Sequence, residues 1–308
     1  MGPSRPTGFA CLAMVLMFSG AVAQEGGKRP SGGSTDKPAV VVADLATEGL
    51  ELLSPVSANF DAAVRGLLPD NVVGPALGTK PYLVILSNRS AHTIVAYETV
   101  WTIIYTDKSK RRKTTFAPML FVDAVSGMDG ATVLSDPESQ PISSGEKRLV
   151  AADTNFGPPS KTITKDGEIN LVNWLRAVAQ DQNANAAEVA EIQINLDATI
   201  FSDGILVGPN TSNLDQYFTA KLEAKQKLFR QVVSDLDAGR TVEEALGPAK
   251  TLAAQTPVPS RDPSVIYIRL AAQEIVALRR RIGDSAVSAL FRQAIRKEPF
   301  VIKRSQTQ

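Results

Sequence analysis

The residues that could carry chemistry are few. His92 is the only histidine, set in a polar stretch between two apolar runs. A Ser/His/Asp relay would have to pass through it, and its setting reads as an exposed turn. A zinc centre needs several His or Cys ligands, and the chain holds one of each, with Cys11 near the N-terminus. Ser144 and Lys147 spell S-x-x-K, the nucleophile motif of penicillin-recognising enzymes. That chemistry places the pair one helical turn apart beside further motifs such as K-T-G, whereas Pro141 and Gly145 argue for a turn and no K-T-G exists. The chain also lacks G-x-S-x-G, a P-loop and G-x-G-x-x-G. Its 32 acids leave paired carboxylates open by count alone. No catalytic residue, metal ligand or cofactor is assigned.

Charge and aromatic side chains give the remaining candidates. Lys108, Lys110, Arg111, Arg112 and Lys113 crowd one predicted turn. Arg279, Arg280, Arg281, Arg292 and Arg296 load the C-terminal region. These are the candidate contacts for an anionic lipid or polysaccharide surface. The competing reading is a solvated face, with cations near helix C-termini. Asp203 and Gly204 read as a structural turn, because Asp-Gly supplies the positive φ of tight hairpins. Asp203 could join Asp197 and Asn210 around calcium, but that spacing fits no ligand loop. Trp101 shares strand parity with Val95 and Ile103 and reads as core, while Trp174 sits beside a helical stripe.

The segments around these residues set the compartment and the elements. Arg5, the apolar run 9–18 and the small residues Ala21 and Ala23 form a secretory leader pattern. The run is short of the roughly 20 residues that span a bilayer. Export to the periplasm or extracellular space follows, with cleavage after Ala23. A formal charge of +1 with 21% charged and 44% hydrophobic residues describes a globular chain with no bias toward nucleic acid. The expected division is a leader at 1–23, a Gly/Ser/Lys-rich linker at 24–42, a β-sandwich at 43–210 and a helical region at 211–308.

Period-two stretches at 82–90, 93–107 and 191–201 predict strands, the first two joined as a hairpin. On the second strand Val95, Tyr97, Trp101, Ile103 and Tyr105 should face a core, leaving Glu98 and Thr102 partly wet. Residues 114–125 read as the next strand and 168–182 as an inserted helix. Asn59 should cap a short helix that Pro69 stops. After 211 strand signals disappear. Leu214, Phe218, Leu222, Phe229, Val232 and Leu236 make one helical stripe. Thr241 and Glu244 form a capping box, Gly247-Pro248 breaks the following helix, and Gly283-Asp284 separates two more.

Residues 194–210, with their Leu-Asp, Asp-Gly and Gly-Pro-Asn, resemble exported bacterial proteins of unknown function with an immunoglobulin-like β-sandwich. "LVILSNRSAHTIVAY" and "ISSGEKRLV" are similar to the turns of such sandwiches, although the cysteine pair of true immunoglobulin domains is missing. The expected fold is α+β, an antiparallel immunoglobulin-like sandwich with a C-terminal helical segment. The expected function is a non-catalytic binding or structural module of the envelope or extracellular space. Its partner would be an unidentified protein, an envelope component or an anionic surface, with no nucleic acid and no transmembrane segment after the leader. The alternative is a carboxylate-dependent hydrolase working at the junction of sandwich and helices.

Overall fold

A computed structural model describes residues 38–116, 141–152, 188–256, 260, 262–296 and 298–305. The leader, Trp174, the inserted helix and most of the strand expected at 114–125 lie outside them. In chain order the elements are β1 (Ala39–Ala43), β2 (Leu50–Leu53), α1 (Phe60–Leu67), α2 (Asp70–Leu77), β3 (Leu83–Asn88), β4 (Ile94–Tyr105), β5 (Lys110–Phe116), β6 (Lys147–Ala151), β7 (Val189–Phe201) and β8 (Ile205–Val207). Then follow α3 (Leu214–Asp237), α4 (Val242–Ala245), α5 (Gly247–Ala254), α6 (Pro263–Ile282), α7 (Asp284–Ala294) and β9 (Lys303–Arg304).

The antiparallel immunoglobulin-like sandwich is not the fold. The large sheet, in the order β5-β4-β7-β8-β9, is mixed: β1 joins β7 in parallel and β9 joins β8 in parallel. The architecture is mixed α/β. Parallel partners need long connections, and both strands have them, since β1 is separated from β7 by most of the β region and β9 from β8 by all the helices. Alternation within a segment marks a strand but carries no information about such distant partners. The C-terminal tail was read as strandless for the same reason.

The small sheet, β2-β3-β6, is antiparallel. Its Val84 and Leu86 join the core of the large sheet around Trp101 and Ile194, while Leu83 and Ile85 pack with Phe60, Val64 and Ala76 of α1 and α2. Cover on both faces explains why every residue of β3 is buried and why "LVIL" reads as one apolar run. β3 and β4 therefore do not form the expected hairpin, because they lie in different sheets. Asn88 builds the crossing between them. Its Nδ2 donates to the His92 and Ile142 carbonyls (2.8 and 2.9 Å), and its Oδ1 accepts from Ser90 N and Oγ (3.1 and 2.7 Å).

The stretch 194–210 is a lock between the large sheet and α3. β7 carries one extra residue, Asp197, opposite the step from Glu98 to Thr99. This bulge aims a buried carboxylate at the Thr211 hydroxyl (2.7 Å) and Ser212 N–H (3.0 Å), and its carbonyl accepts from Asn210 N (3.0 Å). Gly208 passes so close that a Cβ would lie 2.5 Å from that carbonyl oxygen. Asn210, in the left-handed region at φ 54°, accepts from Leu214 N–H and starts α3. At the β7–β8 corner the positive φ falls on Gly204 alone, not on Asp203, as in a three-residue hairpin with a glycine bulge.

α3 runs 24 residues, about 36 Å at 1.5 Å per residue. Leu214, Phe218 and Leu222 belong to the sheet core, and from Ala224 onward the helix joins a second core with α4 to α7. Gly239 ends it: its N–H bonds Leu236 O and that of Arg240 bonds Asp235 O, a Schellman motif. Both bonds of the Thr241–Glu244 capping box form. After α7 the tail returns to the sheet, with Phe300 against Phe218 (5.7 Å between ring centroids).

Asn88→Ala should remove four hydrogen bonds, one of them to the buried Ile142 carbonyl, and destabilise the protein by about 3 kcal/mol. Urea unfolding monitored by Trp fluorescence checks this; an unchanged midpoint would show that the crossing does not depend on Asn88.

Candidate functional site

The basic residues divide into three settings. Residues 108–113 are not one loop. Lys108 turns the chain at φ 67°, and from Lys110 the segment is the edge strand β5, with Arg111, Arg112 and Lys113 opposite Ile103, Thr102 and Trp101. Charges on an edge strand discourage pairing with another chain. Arg279 is an internal clamp: it bonds both oxygens of Asp284 (2.7 and 3.2 Å) and one of Glu243, tying α6 to α7 and α4. Lys250 and Arg279 together hold the Glu243 carboxyl down at about 2. Arg280 is exposed, and Arg281 lies in the last turn of α6.

The third setting is α7. Val287, Leu290, Phe291 and Ala294 face the helical core. On the other side Ala289, Arg292, Gln293 and Arg296 line a shallow groove of about 470 Å³. Arg292 is anchored at 2.5 Å by Asp237 at the end of α3 and stays 40% exposed. Arg296 is exposed. The face combines a fixed and an exposed guanidinium group, suited to carboxylate, sulfate or phosphate oxygens.

A buried polar seam lies between the large sheet, α3 and α6. Tyr217, Lys221 and Lys225 recur every four residues on α3, and α6 brings Tyr267 and Glu274. The two lysine ammonium groups, with side chains only 3% and 2% exposed, reach opposite oxygens of Glu274 at 3.1 and 2.6 Å. Burial works against the Glu274 carboxylate, but Lys221 and Lys225 outweigh it and hold its pKa well below the usual value. Tyr217 and Tyr267 meet edge to face at 6.4 Å. Burial, Tyr217 and Glu98 all push the Tyr267 phenol up. Glu98, expected to be partly wet, is 2% exposed because α3 packs on β4.

The sequence reading did not find this seam, yet its trace was there. The α3 stripe skips from Leu222 to Phe229, and the missing core-facing position is Lys225. Glu274 is a carboxylate at the junction of sheets and helices, where the hydrolase alternative calls for a pair of acids with a raised pKa. Held low by two cations, Glu274 is a fixed anion rather than a proton donor.

His92 and Asp203 are brought together at 2.8 Å, Nδ1 to Oδ2, with the imidazole against Phe201 (5.4 Å). A carboxylate on Nδ1 is the orienting half of a catalytic triad. Two hydroxyls near this corner are engaged elsewhere, Ser90 with Asn88 and Ser144 with the Ser90 carbonyl. The pair ties the β3–β4 crossing to the β7–β8 corner. Trp101 is fully buried and donates to Thr99 (3.0 Å), as a core residue. No cluster of three His, Cys, Asp or Glu suited to a metal occurs among the described residues. No helix among them is long and apolar enough to cross a membrane. The chain matches no protein family, curated protein or solved structure with which it was compared.

Glu274→Gln should leave two buried ammonium groups without their carboxylate and cost about 2 kcal/mol, below the range for fully buried pairs because Glu274 is partly solvated. Because the folded-state pKa values of Glu243 and Glu274 are depressed, their stabilisation is present above the ordinary 4.5 and lost as pH falls toward about 2. Stability measured from pH 6 to 2 should fall less steeply in the Glu274→Gln variant; parallel curves would remove the lysine–carboxylate seam as a source of acid sensitivity.

Proposed function

We propose that this protein is a non-catalytic binding module of the cell envelope or extracellular space that attaches to an anionic surface through the outer face of α7. The observation that carries this reading is the groove between Arg292 and Arg296. The clamp at Arg279 and the seam at Glu274 support it, because they fix α7 and the helices beneath it as a rigid platform. Preorganised arginines give up less freedom on binding than a flexible basic tail. The leader pattern at 1–23 supports export, and among exported partners the natural anions are lipid headgroups, acidic polysaccharide and acidic protein faces.

The test is co-sedimentation of the chain from Gln24 onward with vesicles of phosphatidylcholine containing 30% phosphatidylglycerol. Binding should be present at 50 mM salt and fall at least tenfold at 500 mM, where screening acts over about 4 Å. The pair Arg292→Gln and Arg296→Gln should also lower it about tenfold while leaving the unfolding transition in place. Equal binding by the double variant would move attachment away from α7. N-terminal sequencing of the chain exported from a bacterial host should read Gln24 first; an unprocessed chain would remove the export reading.

A further inference from the structure

The strands at the edges of the two sheets are not alike. β5 carries Lys110, Arg111, Arg112 and Lys113, and β9 is Lys303 and Arg304. In the small sheet β2 carries Glu51 and β6 carries Lys147 and Arg148. Charge on an edge is the usual guard against strand addition. β1 is the exception among the described edge strands: its sequence is AVVVA. β7 pairs with one side of it over five residues, and among the described residues no strand pairs with the other.

β1 is also built as a firm template. Val40 and Val42 pack against the large core, whereas Ala39, Val41 and Ala43 face outward and Val41 is 53% exposed. A five-residue strand without charge, straightened by its neighbour and showing a valine to water, satisfies the conditions for accepting another strand. The sequence names the occupant. AVVVA reads the same in both directions, and a two-fold interface requires each copy to present the same self-complementary patch. Antiparallel pairing of two such strands about Val41 sets Val41 against Val41 on the axis. Val40 then faces Val42 and Ala39 faces Ala43, with no charge buried and both faces of each strand matched. Two β5 strands paired in the same way would instead oppose like charges.

We propose that β1 is the self-association edge of this protein: two copies pair their β1 strands antiparallel about Val41, joining their large sheets into one continuous sheet. This does not depend on the anionic-surface reading, which concerns the opposite end of the chain.

The chain from Gln24 onward contains no cysteine, because Cys11 is the only one. That permits a direct register test. With Val41→Cys, the two thiols sit on the two-fold axis within the roughly 5.5 Å that a disulfide bridges. Mild oxidation should convert most of the protein to a covalent dimer. With Ala39→Cys, the thiols lie about 13 Å apart, from four residues of strand at 3.3 Å each, and should stay free. Sedimentation equilibrium of the unmodified chain should give a dimer, and Val41→Lys should weaken it at least tenfold while the far-UV circular dichroism spectrum of the folded chain is unchanged. A monomer at 100 µM, a dimer indifferent to Val41→Lys, or equal cross-linking from positions 39 and 41 would each overturn the proposal. If the protein is monomeric and the Ala39–Ala43 amides are protected from hydrogen exchange on both sides, the segment 24–37 of the same chain covers the edge instead.

Discussion

α3 has to satisfy two cores at once, and the way it does so governs the arrangement of the rest. Its N-terminal third presents Leu214, Phe218 and Leu222 to the sheets, and its later turns present Leu228, Phe229, Val232 and Val233 to α4 to α7. Between them the helix faces α6 and the polar side chain of Glu98, where an aliphatic residue would leave that carboxylate against hydrocarbon. Tyr217, Lys221 and Lys225 fill the gap. Their long stems give apolar cover while their heads meet charge, and Glu274 of α6 supplies the compensating anion. Removing one partner would strand the others, so the seam fixes how α3 and α6 sit against each other.

The start of α3 is set just as tightly by backbone contacts. The extra residue at Asp197 turns one carbonyl and one carboxylate of β7 toward the loop that follows β8. Gly208 is the residue type that lets the chain pass at that distance. Gly204 does the same for the C-terminal tail, whose Val301 carbonyl occupies the space of a Cβ. Two glycines, each in the left-handed region, thus admit the helix loop on one side and the tail on the other. The tail then carries α7 back to the sheet through Phe300 and β9, closing the helical layer onto the strands.

This rigidity bears on what the molecule does. Arg279 bridges three helices and Arg292 is held by Asp237, so two of the candidate C-terminal arginines serve the scaffold and also orient the surface they border. Binding through such a face draws on groups whose freedom was already given up in folding. β5 and β9 are charged edge strands, while the uncharged β1 has no strand partner on its second side among the described residues. A module that pairs through β1 and binds through the outer face of α7 would double its contacts with a surface, and two linked sites raise apparent affinity without any new contact.

Local signals were legible wherever local physics decides. Thr241 with Glu244, Gly239 and Gly283 bound helices where capping chemistry predicts, Asn59 stands at the N-cap of α1 without a side-chain capping bond, and the α3 stripe faces the core as its spacing requires. Trp101 is core, and Asp203-Gly204 is a corner. What the sequence could not convey is which distant segments meet. Period-two alternation marks β3, β4 and β7 as strands but does not state that the expected linker ends in β1, that β1 runs parallel to β7, or that β3 and β4 belong to different sheets. The same limit hid the polar contacts. His92 meets Asp203 across 111 positions, as the two numbers show, and Lys221 and Lys225 meet Glu274 only because α3 and α6 share a core. Propensity, capping and periodicity act within a few residues and are written in order along the chain. Strand partners and buried ion pairs depend on which surfaces exclude water together, and that is decided only when the whole chain packs.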